Sequence, residues 1–86
     1  MKAFDFVIQD PCGLHARPAG SLASFAKEHA DAAITVQAKG QCVNLSDILP
    51  LLSLRLRCGD NITFRIEGSD EENISRKLKN LLENTL

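Results

Sequence analysis

The chain has no tryptophan and no tyrosine, and four phenylalanines are its only aromatic residues. A nucleic-acid platform that stacks bases on aromatic rings is therefore poorly supplied. Lys and Arg number 10 against 11 Asp and Glu, a formal net charge of −1. No basic cluster occurs, so the electrostatic footprint of a nucleic-acid binder is missing as well. No apolar run approaches the roughly 20 residues needed to cross a bilayer, which argues against direct membrane insertion. The first residues run straight into a strand pattern rather than the apolar core of a signal peptide. Cysteine occurs three times, at Cys12, Cys42 and Cys58, with no Cys-x-x-Cys spacing. An odd, scattered set reads as free thiols in a reducing, cytoplasmic setting. Even with His15 and His29 added, these residues fall short of an obvious ligand set, so no metal site and no cofactor are expected.

What the chain does have is a clear succession of periodicities over a length suited to one domain, residues 1–86. Phe4, Phe6 and Ile8 alternate with Asp5, Val7 and Gln9, the pattern of a half-buried strand. Asp10-Pro11-Cys12-Gly13 is a turn-rich loop. A helix is predicted from Ala16 to about His29, with Ala19, Leu22, Ala23, Ala26 and Ala30 at helical spacing. His29 at its end suits the helix dipole. Ile34 and Val36 alternate with Thr35 and Gln37 in a second strand, Lys39-Gly40 marks a hairpin, and Cys42 to Leu45 reads as a third. Cys42 and Cys58 read as core or turn residues. Ser46-Asp47 opens a short helix with Pro50 in its first turn. Ile62, Phe64 and Ile66 give the cleanest strand. Ser69-x-x-Glu72 reads as a capping box, opening a last helix with Ile74, Leu78, Leu81 and Leu82 on one face. The order β-α-β-β-α-β-α predicts an α+β fold: a four-stranded antiparallel sheet with three helices on one face, which buries all the apolar stripes at once.

The most informative stretch is Gly13-Leu14-His15-Ala16-Arg17-Pro18. Gly13 supplies a tight turn, and Pro18 suits the first turn of a helix, where its missing N–H is not needed. His15 then falls at or just before a helix N-terminus. Free N–H groups and the positive end of the dipole make such an end a good anion site. Imidazole is a nucleophile near neutral pH, and a guanidinium can neutralise phosphoryl oxygens. Arg17 has a plainer reading as a solvated first-turn residue. A cation at the positive end of a helix makes more sense if an anion visits it.

This string, together with the length and the order of elements, resembles the histidine-containing phosphocarrier (HPr) family of the bacterial sugar phosphotransferase system. The resemblance covers nearly the whole chain. It implies an open-faced β-sandwich, and a carrier rather than an enzyme. The carrier would take a phosphoryl group from enzyme I on the Nδ1 nitrogen of His15 and donate it to enzyme IIA domains. Ala16, Arg17 and Pro18 form the phosphate-binding helix start in that reading. The docking surface it implies draws on Gly20 and on Ile48, Leu49 and Leu52, a helix more apolar than a short surface helix requires. Arg55 stands where the family usually has Gly, and a bulky cation there narrows the choice of partners. The family's regulatory serine position aligns with Asp47, preceded by Ser46. That points to absence of kinase control, with weak mimicry by the carboxylate or a shifted site at Ser46 as the other readings. Cys12 reads more readily as an ordinary loop thiol than as a redox switch. A regulatory relative that reports its phosphorylation state to a protein partner is the second reading. A monomer is the default assembly.

Overall fold

A computed structural model describes residues 1–86 and bears out the expected order of elements. They are β1 (Lys2–Val7), α1 (Ala16–Glu28), β2 (Ala33–Ala38), β3 (Gln41–Asn44), α2 (Ile48–Ser53), β4 (Asn61–Glu67) and α3 (Glu71–Thr85). The sheet order is β1-β4-β2-β3, with every neighbouring pair antiparallel. The strand latest in sequence thus lies between β1 and β2. The α1 crossover leaves one strand position open, and β4, returning through α2, fills it.

Period-two alternation sets which face meets the helices. Ile34 and Val36 of β2 and Ile62, Phe64 and Ile66 of β4 are all at most 2% exposed, whereas Thr35, Gln37, Thr63 and Arg65 turn the other way. Opposite Phe64 stand Phe4 on one side and Val36 on the other. The Phe4 and Phe64 rings stack at 5.3 Å between centroids, and the Lys79 ammonium lies 4.9 Å from the Phe4 centroid. The helices close this face with Leu22, Ala26, Leu51, Ile74, Leu78 and Leu82. Each fully buried Leu or Ile contributes about 1.5–3 kcal/mol of transfer free energy. The opposite sheet face stays open, and across it Thr63 Oγ1 donates to Asp5 Oδ1 at 2.6 Å. This is the open-faced β-sandwich.

Four local expectations are corrected. Helix α1 ends at Glu28 with His29 as C-cap, so the apolar stripe stops at Ala26 and Ala30 lies exposed in the following turn. The third strand runs one residue earlier than its apolar pattern suggested. Leu45 lies just past its end, fully buried, with its N–H donated to the Ile34 carbonyl at 3.0 Å. Cys42 is exposed, because β3 is an edge strand and Cys42 pairs with Gln37 on the open face. The capping box at Ser69 and Glu72 does not form: Asp70 is the N-cap of α3, with no side-chain cap bond. Glu71 instead accepts the Gly68 N–H at 3.2 Å and meets the Met1 ammonium at 2.6 Å, while Glu72 pairs with Lys2 at 3.2 Å. Glu72, the residue the box requires, is thus engaged by Lys2 of the first strand.

The Lys39-Gly40 hairpin has positive φ at both residues, 52° and 76°, as a type I′ turn requires. Lys39 Nζ reaches the Arg55 carbonyl at 2.8 Å and Asp60 Oδ2 at 3.6 Å. The Arg57 N–H on Asp60 Oδ2, at 2.8 Å, is the main reason the Asp60 carboxyl sits below its ordinary value of 3.8, with Lys39 adding to it. A depressed carboxyl stabilises the fold above its unfolded pKa, and that contribution is lost as pH falls through the folded value. Asp60→Asn is therefore expected to flatten the fall of melting temperature with pH below about 4, as read by circular dichroism melts across that range.

Candidate functional site

The loop between β1 and α1 is fixed by backbone bonds at both ends. Ile8, 1% exposed, donates to the Asp60 carbonyl at 3.0 Å and accepts from the Gly59 N–H at 2.9 Å. The N–H groups of Gln9 and Asp10 both meet the Leu86 carbonyl oxygen, at 2.7 and 2.6 Å. Gly13 has φ +67° and lies directly against the Leu56–Arg57 backbone. Next to it Leu14 buries its side chain and donates its N–H to the Leu56 carbonyl at 3.0 Å. His15 follows as the N-cap of α1, held between buried Leu14 and buried Pro18 and Ala19.

The His15 side chain is 46% exposed and makes no cap hydrogen bond. The first hydrogen bond of α1 runs from the Ala19 N–H to the His15 carbonyl at 3.0 Å, so the N–H groups of Ala16 and Arg17 have no protein acceptor. Both residues are exposed. Pro18 has no N–H to give, and its contribution is the fixed φ that starts the helix. The site is therefore an accessible imidazole beside two free backbone donors and an exposed guanidinium at the positive end of a 13-residue helix. That arrangement can hold a phosphoryl group covalently and neutralise its oxygens.

One neighbour was not singled out by sequence. Asp10 Oδ2 lies 4.0 Å from His15 Nε2. Its other oxygen, Oδ1, accepts the Cys12 N–H at 2.8 Å, and this Asx turn aims the carboxylate at the ring. An Asp opening an Asp-Pro-Cys-Gly turn was the only available signal. The second histidine sits elsewhere: His29 stacks on Phe25 at 4.4 Å between centroids, with Nδ1 3.0 Å from the Phe25 carbonyl.

The remaining candidates lie on and beside α2. Leu51 and Leu54 are buried, Leu52 is half-buried, and Ile48 and Leu49 are 36% and 77% exposed. Gly20 and Ile48 border one open groove beside α1. Arg55 is exposed and adjoins Leu56, whose carbonyl holds the His15 loop. Its φ is +52°, a left-handed conformation that is strained for a residue with a Cβ. Arg55→Gly is accordingly expected to raise stability by about 1 kcal/mol, or about 4–8 °C in melting temperature, as measured by thermal denaturation. Asp47 is the N-cap of α2, exposed and without a side-chain cap bond. Ser46 is half-buried and tied back to Asn44, with its Oγ donating to Asn44 Oδ1 at 2.8 Å and its N–H to the same oxygen at 3.0 Å.

A family model described as the PTS HPr component phosphorylation site matches residues 2–84. Phosphocarrier protein HPr of Mycoplasma genitalium is 43% identical over 83 residues, spanning 96% of this chain and 94% of that protein. The crystal structure of HPr-C-His from Thermoanaerobacter tengcongensis superposes with a TM-score of 0.90 at 32% identity, covering 99% of this chain and 94% of that one. A crystal structure of an HPr dimer from the same organism gives 0.74 at 32% identity, covering 98% and 95%. The family match and these relatives make the chain a phosphocarrier, a protein that bears a group between others and is not itself an enzyme. The chain belongs to the HPr family of the phosphotransferase system.

Proposed function

We propose that the chain accepts a phosphoryl group from enzyme I on His15 and donates it to enzyme IIA domains, acting in the cytoplasm as a single monomeric domain over residues 1–86. The observation that carries this reading is the exposed His15 imidazole beside the unpaired N–H groups of Ala16 and Arg17. Nδ1 attacks phosphorus, a P–N bond forms as the donor's bond to phosphorus breaks, and the electron pair leaves with the donor. Arg17 and the two N–H groups bind the phosphoryl oxygens, and Pro18 keeps the helix start in place. The same steps run in reverse order of partner when enzyme IIA takes the group. The test is intact mass after incubation with phosphoenolpyruvate and enzyme I. An acid-labile gain of one phosphoryl group supports the reading, and no gain with a cognate enzyme I rejects it.

Docking is assigned to Gly20, Ile48, Leu49, Leu52 and Arg55. Leu49 is the residue to probe, since its exposed side chain contributes little to the fold. Leu49→Asp is expected to leave the melting temperature unchanged and to slow transfer from enzyme I by about tenfold, the order of one interface anchor lost. Quench-flow transfer rates measure this.

The second reading, a regulatory relative that signals phosphorylation state to a protein partner, draws its support from Asp47. A carboxylate stands exposed at the N-cap of α2, beside a Ser46 hydroxyl bonded to Asn44, and offers a partner an acidic group at this corner. Transfer kinetics separate the two: a carrier passes its phosphate on quickly, whereas a sensor holds it.

A further inference from the structure

We infer that Asp10, Cys12 and His15 form a binding site for a thiophilic divalent cation of the zinc class, and that its occupation closes His15 to phosphoryl transfer. One carboxylate oxygen, the Cys12 thiol sulfur and a His15 ring nitrogen all lie within 4.8 Å of one another. A tetrahedral zinc with bonds of about 2.3 Å to sulfur and about 2.0–2.2 Å to nitrogen and oxygen holds its ligands roughly 3.4–3.6 Å apart. Closing that gap takes about 1 Å of movement, and Cys12 and His15 are exposed and free to turn.

The loop has already organised the donors. The Asp10 carbonyl accepts the Gly13 N–H at 2.9 Å, its N–H is held by the Leu86 carbonyl oxygen, and its Oδ1 holds the Cys12 N–H. Only Oδ2 remains free, and it faces His15 Nε2. The three side chains offer one sulfur, one nitrogen and one oxygen, a mixture that suits zinc better than magnesium or calcium. Three protein ligands leave a fourth position for water.

Binding releases the thiol proton of Cys12 to solvent and uses the lone pair of His15 Nε2. The ring proton then resides on Nδ1, which cannot attack phosphorus. This second consequence rests on His15 being the phosphoryl acceptor. The metal site itself does not.

Cobalt(II) titrated into the full, reduced chain reads the site directly. One cobalt per chain is expected, with a thiolate-to-metal charge-transfer band that zinc displaces. The band disappears in Cys12→Ser and persists in a Cys42→Ser/Cys58→Ser double variant, which removes the other two exposed thiols. Asp10→Asn is expected to weaken binding by more than the roughly 10–100-fold that loss of a supporting hydrogen bond costs a metal site. A band that survives Cys12→Ser, half a cobalt per chain, or no band at all overturns the site. The occlusion is read by phosphoryl acceptance with zinc at ten times its dissociation constant. The rate then falls about tenfold in the unmodified chain and is unchanged in Cys12→Ser. Equal inhibition of both chains places the effect on the donor enzyme and overturns the occlusion. A metal-free chain that takes no phosphoryl group rejects the carrier reading alone, and the cobalt spectrum still decides the site.

Discussion

His15→Ala is expected to abolish phosphoryl acceptance while moving the melting temperature by no more than about 3 °C. The second half of that expectation follows from what the imidazole does in the fold, which is very little. It makes no hydrogen bond to cap α1, and its contact with a carboxylate is the long one to Asp10, at 4.0 Å. The N-cap role of His15 is played by its backbone, whose carbonyl accepts the Ala19 N–H, and Ala keeps that bond. The first half follows because His29 cannot substitute. Its ring is half-buried, stacked on Phe25, and one of its nitrogens faces the Phe25 carbonyl at 3.0 Å. His29→Ala is the matching control and should still accept the group. Intact mass and thermal melts on the two variants separate chemistry from folding. Residual acid-labile phosphate on the His15→Ala chain would move the acceptor elsewhere.

The site was legible in sequence wherever it depends on neighbours within one turn. Gly13, His15 and Pro18 announce a turn, an imidazole and a helix start in that order, and the structure assembles them so. The alternation in β4 was equally plain, because Ile62, Phe64 and Ile66 sit in the middle of the sheet with helices on one side only. What was hidden depends on residues far apart in the chain. Nothing local says that β4 inserts between β1 and β2, or that Glu72 pairs with Lys2 instead of closing a capping box with Ser69. Cys42 has the composition of a core residue, and only its place on an edge strand, opposite Gln37, explains its exposure. The approach of Asp10 to His15 also escaped, because it needs the Asx turn with Cys12 to rotate the carboxylate toward the ring.

Gly13 is where the sequence pattern and the long-range packing meet, and replacing it should be costly for both stability and transfer. A Cβ built at Gly13 would fall within 2.8 Å of Arg57 Cα and closer still to the Leu56 carbonyl oxygen. Those atoms are backbone, and they are held in place. The same Leu56 oxygen accepts the Leu14 N–H, and the adjoining turn is bonded to Ile8 through Asp60 and Gly59. Relief of the clash therefore breaks the bond that anchors His15. Gly13 also has φ +67°, which alone costs a residue with a Cβ about 1–2 kcal/mol. With the clash added, Gly13→Ala is expected to lose at least about 3 kcal/mol, or about 12–24 °C in melting temperature. Gly40→Ala isolates the conformational part, since Gly40 has φ +76° but nothing within 4 Å of its would-be Cβ. It should lose only about 1 kcal/mol. The difference between the two variants thus measures the close approach itself. Where Gly13→Ala remains folded at low temperature, phosphoryl acceptance should fall even though His15 and Arg17 are intact, because the loop that carries the imidazole has moved off the Leu56 carbonyl. Equal losses for the two glycines would mean that the loop adapts freely, and that the position of His15 is set by the helix start alone.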